Sequence, residues 1–212
     1  MTQSNEPYPA QSAPPTEPSA RARPRIVDQL IEIAVTAALA VALYFVIQTF
    51  VLQTFRVEGV SMEDSLEPAQ HLLIDKLTPR FDDYSRGDIV VLHPPDEPDP
   101  DSVPFIKRII GVAGDHVEVH GDGVWVNGVE IDETYVNPDY PTEPFQWEVF
   151  DVPQGEILVM GDHRDESHDS REFGSVPVGN VIGRAVLRFW PLDSLGIIQT
   201  PTYPDVPAAP TE

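Results

Sequence analysis

Ser61 stands in the stretch EGVSMEDSL, Glu58 to Leu66. A free hydroxyl is a weak nucleophile near neutral pH and needs a base within hydrogen-bond reach to take its proton. Six histidines could serve: His71, His93, His116, His120, His163 and His168. Most fall in turns or at strand ends, where a solvated imidazole is the plainer reading. No Gly-x-Ser-x-Gly elbow surrounds any serine, which disfavours a strand-turn-helix nucleophile with a histidine base. A lysine can be the base instead, provided burial lowers its pKa enough to leave a neutral amine. The chain has two lysines. Lys76 follows HLLID in a polar neighbourhood that points to exposure. Lys107 lies in PFIKRIIGVAGD, where alternation puts Phe105, Lys107 and Ile109 on one face and Ile106, Arg108 and Ile110 on the other. Such a lysine is either desolvated or on a half-wet sheet edge. Residue type alone favours the edge, because lysine is rarely fully buried unless paired.

A second polar cluster is GDHRDESHDSREFG, Gly161 to Gly174. Two histidines among several acids invite a metal reading. The spacing matches neither H-E-x-x-H nor a calcium-loop pattern, so a solvated turn rich in Asp and Ser is the better reading, and no metal is expected.

The elements that must hold these groups are short. DIVVLH, FIKRII, HVEVH, VWVNGVEI, EILVM and VIGRAVLRFW are β-branched runs separated by Gly, Pro, Asp or Asn. Gly-Asp-Gly at 121–123 and Asn127-Gly128 mark two consecutive turns. Strands without intervening helical patterns argue for a mainly β, antiparallel domain over 56–198. Residues 94–104 and 137–145 read as long loops. Ahead of the strands, Ile33 to Phe55 is a run of 23 residues without a charge. As a helix at about 1.5 Å per residue it reaches roughly 34 Å, enough for a hydrocarbon core of about 30 Å. The run is apolar on every face and is too long for the core of a cleaved leader, so a single retained transmembrane helix over 29–55 is expected. Residues 1–28 read as a disordered Pro-rich tail, and 199–212 as a second disordered tail. Arg21, Arg23 and Arg25 precede the apolar run and Arg56 alone follows it closely, which places the N-terminus in the cytoplasm and the β domain outside.

The totals exclude some functions. Thirteen Lys+Arg against 35 Asp+Glu give a net charge of -22, which argues against a nucleic-acid partner. With no cysteine there is no thiol nucleophile, disulfide framework or cysteine-based zinc site.

Taken together, these stretches resemble the type I signal peptidases, membrane-bound serine endopeptidases with a Ser-Lys dyad. GVSMEDSL resembles the nucleophile box Gly-x-Ser-Met-x-Pro-Thr-Leu, RGDIVVLHPP the box after it, and FIKRIIGVAGD the lysine box. GDHRDESHDSREFG matches Gly-Asp-x-Arg-x-x-Ser-x-Asp-Ser-Arg-x-x-Gly at each fixed position, and RFWPLDSLG is similar to the last strand. The resemblance runs from the apolar helix to about Gly196. It implies Ser61 as nucleophile, Lys107 as general base, and Ser167 as a hydrogen-bond partner that orients the amine. Asp169 and Arg171 would form a supporting salt bridge, and the Ser61 N–H would meet the oxyanion. Met62 would lie near the scissile bond and form part of a pocket floor. Gly59 stands where some members carry a second, hydroxyl oxyanion donor. The implied substrates are secreted preproteins cut after small-x-small sites, with the bilayer as a further partner, no cofactor, and a monomer near the secretion translocon. One departure is Asp64-Ser65 in place of Pro-Thr, which removes a rigid turn and adds a charge three residues from Ser61. The competing readings are a catalytically silent, membrane-tethered peptide-binding β domain, a self-cleaving Ser-Lys peptidase, and a metallohydrolase on the His163–His168 loop.

Overall fold

The computed structural model describes residues 25–77, 83–96, 102–121, 123–139 and 148–208. The chain divides into a first unit ending at residue 43 and a second running from residue 44. Helix α1 (Arg25–Phe50) is the long helix. Its stretch Ile26–Phe50 is long and apolar enough to cross a membrane, and it keeps its side chains exposed all round, Leu39 at 65% and Phe45 at 62%.

The helix stops five residues before the expected limit of 55. β1 (Leu52–Arg56) takes over at once and pairs antiparallel with β2 (His71–Asp75), with Phe55 opposite Leu72. The run LQTF contains two polar residues, one of them the β-branched Thr54, and it gains a ladder by turning extended. Lys76 fixes the junction. Its backbone N–H donates to the Val51 carbonyl (2.9 Å), and its Nζ donates to the Thr49 carbonyl (3.0 Å) at the helix C-terminus, where a cation is favoured.

The β architecture is mainly antiparallel, as the strand pattern requires. β3 (Ile89–Leu92), β4 (Phe105–Gly111), β5 (His116–His120), β6 (Gly123–Val126) and β7 (Val129–Glu130) follow in order. Then come β8 (Glu148–Asp151), β9 (Glu156–Met160), the one-turn helix α2 (Ser170–Phe173), β10 (Val176–Pro177), β11 (Val181–Trp190) and β12 (Gly196–Ile197). The larger sheet has the order β1-β2-β11-β3-β4-β9-β10, with β12 also on β11; the smaller is β7-β6-β5-β8. Asn127 (φ 52) and Gly128 (φ 79) make the tight β6–β7 turn the sequence signals.

The alternation on β4 is not in-and-out. Ile106, Ile109 and Ile110 are all buried, in three different apolar clusters, because β4 lies between β3 and β9 and is covered on both faces. Lys107 itself is only 3% exposed although β9 pairs with β4 only from Arg108 onward, so the lysine is desolvated and the half-wet reading of it does not hold.

The C-terminal residues also depart from expectation over 199–208. Val206 is buried with Val117 and Val126, and Tyr203 packs on the same cluster. Thr200 donates to Asp88 (2.9 Å), and the Pro207 carbonyl accepts from Arg86 (3.1 Å) and Asn127 (3.3 Å). The Pro-rich, polar composition hides two apolar side chains spaced to reach the core. Parts of the two expected loops, and of the N-terminal tail, lie outside the described residues.

Candidate active site

Ser61 sits in a turn held from below. Met62 is fully buried among Val57, Leu66, Leu72 and Ile74, and its carbonyl accepts the Leu66 N–H at 2.7 Å. The Val57 and Gln70 backbones close the base of the loop (2.9 Å), and the Ser61 carbonyl accepts from the His163 N–H (3.1 Å). Met62 thus pegs the loop into the core. An apolar side chain pointing inward gains more than one left at the surface.

Lys107 approaches from β4. Its Nζ lies 2.7 Å from Ser61 Oγ, and the residue is 3% exposed. Burial is the largest influence on the amine and lowers its pKa, Asp169 raises it, Arg171 lowers it and Asp162 raises it; the outcome is a drop to about 8. Ser61 and Lys107 open onto a cleft of about 340 Å³, walled by Phe55 and Glu58–Val60 on one side and Val103–Ile106 on another, with Glu166 and His168 closing a third. Gly59 lines this cleft, and a Cβ there would meet nothing within 4 Å.

Ser167 does not orient the lysine directly. Its Oγ donates to Asp169 Oδ2 (2.7 Å), and Asp169 is the residue around which the turn is organised. That carboxylate caps α2 and accepts from the Gly161 N–H (2.9 Å) and from Arg171 Nε (2.9 Å) and Nη2 (2.8 Å). Burial pushes its pKa up, but the Arg171 hydrogen bond and charge and the Gly161 and Ser167 donors outweigh it, so Asp169 is held below its usual value and stays anionic. Arg171 Nη2 also donates to the Arg164 carbonyl at 2.7 Å. The network reaches Lys107 through space, as charge, rather than through a hydrogen bond from Ser167.

Three further groups carry the site. Gly161 is wedged between Ser167 and Ser61: a Cβ on it would overlap the Ser167 hydroxyl and lie 2.5 Å from the Ser61 carbonyl oxygen. Arg108, buried and stacked 3.9 Å over the Tyr135 ring, makes a two-pronged pair with Asp162 (2.9 and 2.7 Å) and also donates to Ser65 Oγ (3.3 Å). Arg164, fully buried, pairs with Glu133 and donates to the Gly161 carbonyl (3.0 Å). Gly161, Asp162 and Arg164 fill fixed positions of the last motif, which was the signal available for them. The Glu133 partner, 31 residues away in sequence, left none.

The two histidines of that motif do not converge. His163 faces Glu63 (3.3 Å) and Asp165 (3.1 Å), whereas His168 faces Asp96 and Glu172 (3.0 Å each). Asp64 is exposed and takes φ 73, a left-handed conformation that aspartate tolerates and proline cannot adopt. The charges that most move the Lys107 pKa are those of Asp169, Arg171 and Asp162.

A buried amine against a serine hydroxyl, opening onto an apolar cleft, is equipped for acyl transfer from a peptide carbonyl. The signal peptidase, peptidase S26 family model matches residues 30–190. Signal peptidase I of Leptolyngbya laminosa is 39% identical over 199 residues, covering 91% of this chain and 95% of that protein. Signal peptidase IB of Staphylococcus aureus is 31% identical over 178 residues, covering 77% and 91%. A match across most of the chain, with the paired Ser61 and Lys107 inside it, leads to one conclusion: the chain belongs to the signal peptidase family, peptidase S26.

Proposed function

We propose that the protein is a membrane-bound serine endopeptidase that removes signal peptides from exported preproteins, cutting after small-x-small sites through a Ser61–Lys107 dyad. The observation that supports this best is the 2.7 Å approach of a desolvated lysine to a serine that opens onto a cleft. Neutral Lys107 takes the Ser61 proton as Oγ attacks the carbonyl carbon, and the ammonium then protonates the leaving amine. The same amine next activates the water that hydrolyses the acyl-enzyme. The Ser61 N–H meets the oxyanion. The substrate lies extended between the Glu58–Val60 and Val103–Phe105 segments, and the shallow, largely apolar cleft favours small side chains. Helix α1 holds the domain at the bilayer, with the arginines at 21, 23 and 25 on the cytoplasmic side.

The test is cleavage of a purified preprotein carrying an Ala-x-Ala site by the full chain in detergent, with the cut mapped by mass spectrometry. Ser61→Ala is expected to leave the preprotein intact. Undiminished cleavage by that variant, or loss of wild-type cleavage on adding a chelator, would overturn the reading.

The pH profile follows from the lysine. The reactive form is the neutral amine, so kcat/KM is expected to rise about tenfold per unit up to about pH 8 and level off above it. Asp64→Asn is expected to leave this profile in place, since Asp64 is exposed and solvent screens its charge. A downward displacement of the profile in that variant would show that its charge reaches the amine after all.

A further inference from the structure

His168 falls at the variable position between Ser167 and Asp169 of the last motif, so the family pattern gives it no task. The structure holds it firmly all the same. Its Nε2 is 3.0 Å from Asp96 Oδ2 and its Nδ1 is 3.0 Å from Glu172 Oε2. Its ring meets Phe105 edge-on at 5.8 Å and Phe173 at 5.3 Å between centroids. With both nitrogens held and two aromatic contacts, the imidazole is fixed in position although 39% of its side chain is exposed. It also lines the same cleft as Ser61 and Lys107.

Its place along the cleft is set by β4. Phe105 and Lys107 are two residues apart on one strand, so their side chains share a face; their Cα atoms are roughly 7 Å apart, and Lys107 Nζ comes within 5.2 Å of the Phe105 ring centre. An extended peptide has the same two-residue repeat. When the residue before the cut lies at Ser61 and Lys107, the side chain that shares its face, at the third position before the cut, lies beside Phe105 and the His168 ring.

We propose that His168 is a specificity-determining residue: clamped between Asp96 and Glu172, its ring walls the third-position pocket and limits the side chain admitted there. The proposal rests on the signal-peptidase reading above. His168 takes no part in proton transfer; its ring nitrogens are engaged by the two carboxylates.

The experiment compares kcat/KM of the full chain in detergent for two preproteins that differ only in Ala or Leu at the third position. In His168→Ala the Leu:Ala ratio is expected to rise about tenfold, the scale on which a few methylenes are discriminated in an apolar pocket. Asp96→Asn combined with Glu172→Gln, which frees the ring without removing it, is expected to raise the ratio less, by about threefold. Both variants alter partly exposed side chains, and circular dichroism checks that they fold. An unchanged ratio in folded His168→Ala overturns the assignment. Wild-type protein that cuts neither preprotein overturns the signal-peptidase reading together with this one, and is thereby told apart from an unchanged ratio.

Discussion

Lys107→Ala is expected to lower kcat for preprotein cleavage by about four to six powers of ten, the range seen when one member of a nucleophile–base unit is removed. The size follows from the absence of a substitute. Among the described residues, Lys107 is the side chain bonded to Ser61 Oγ, and the histidine in the cleft has its nitrogens on Asp96 and Glu172. Lys107→Arg keeps the charge and much of the length but cannot lose a proton at working pH, so it is expected to be equally inactive. The variants separate chemistry from folding. Lys107 is buried on a central strand and its charged form is disfavoured there, so the alanine variant should melt no lower than wild type while losing activity. Steady-state kinetics with a thermal melt on the same preparation decides the matter, and Lys107→Arg cleaving at the wild-type rate would remove the lysine from the mechanism.

Gly161→Ala is the second large effect. The added methyl has no room: it overlaps the Ser167 hydroxyl and falls 2.5 Å from the Ser61 carbonyl oxygen, which is backbone and cannot rotate away. Relief requires the Ser61 turn and the Ser167–Asp169 turn to separate. That stretches the His163 N–H to Ser61 O=C bond (3.1 Å) and the Gly161 N–H to Asp169 bond (2.9 Å). Overpacking of this kind costs roughly 1–3 kcal/mol of stability. A displacement near 1 Å of the nucleophile costs about a hundredfold in rate. The expected result is a lower melting temperature and a fall in kcat of about a hundredfold or more, with KM changed less. Wild-type kcat in Gly161→Ala would mean that the two turns are not coupled through this residue.

What could be read from the residues divides along physical lines. The β-branched runs and the Asn127-Gly128 turn carry local signals, and the strands β3 to β7, β9 and β11 lie where those signals place them. Most of β1 is hidden in the sequence because LQTF continues an apolar run without a charge; its strand state depends on pairing with β2, which no local pattern records. Lys107 shows the same limit. Its own strand is uninformative about burial, which comes from pairing with β3 and from the Ser61 turn packed against the amine. The sequence motifs placed Ser61, Lys107, Ser167, Asp169 and Arg171 in one region, and they do assemble there. The details differ where packing decides: Met62 turns into the core, and Ser167 donates to Asp169 instead of the lysine. Over 199–208 composition gives no signal of the packing, because it averages over residues while Tyr203 and Val206 act singly.

The join between α1 and β1 has a consequence for any protease that meets this chain. One residue, Val51, separates the helix from the strand, and the strand is at once the outer rail of the large sheet and, through Phe55, part of the cleft wall. A nick between Phe55 and Arg56 would detach the domain from its helix, take all but one residue of β1 away with that helix, leave β2 as a bare sheet edge and remove a side chain that lines the cleft. Shedding and inactivation are then a single event, so a liberated fragment would carry no stray proteolytic activity away from the membrane.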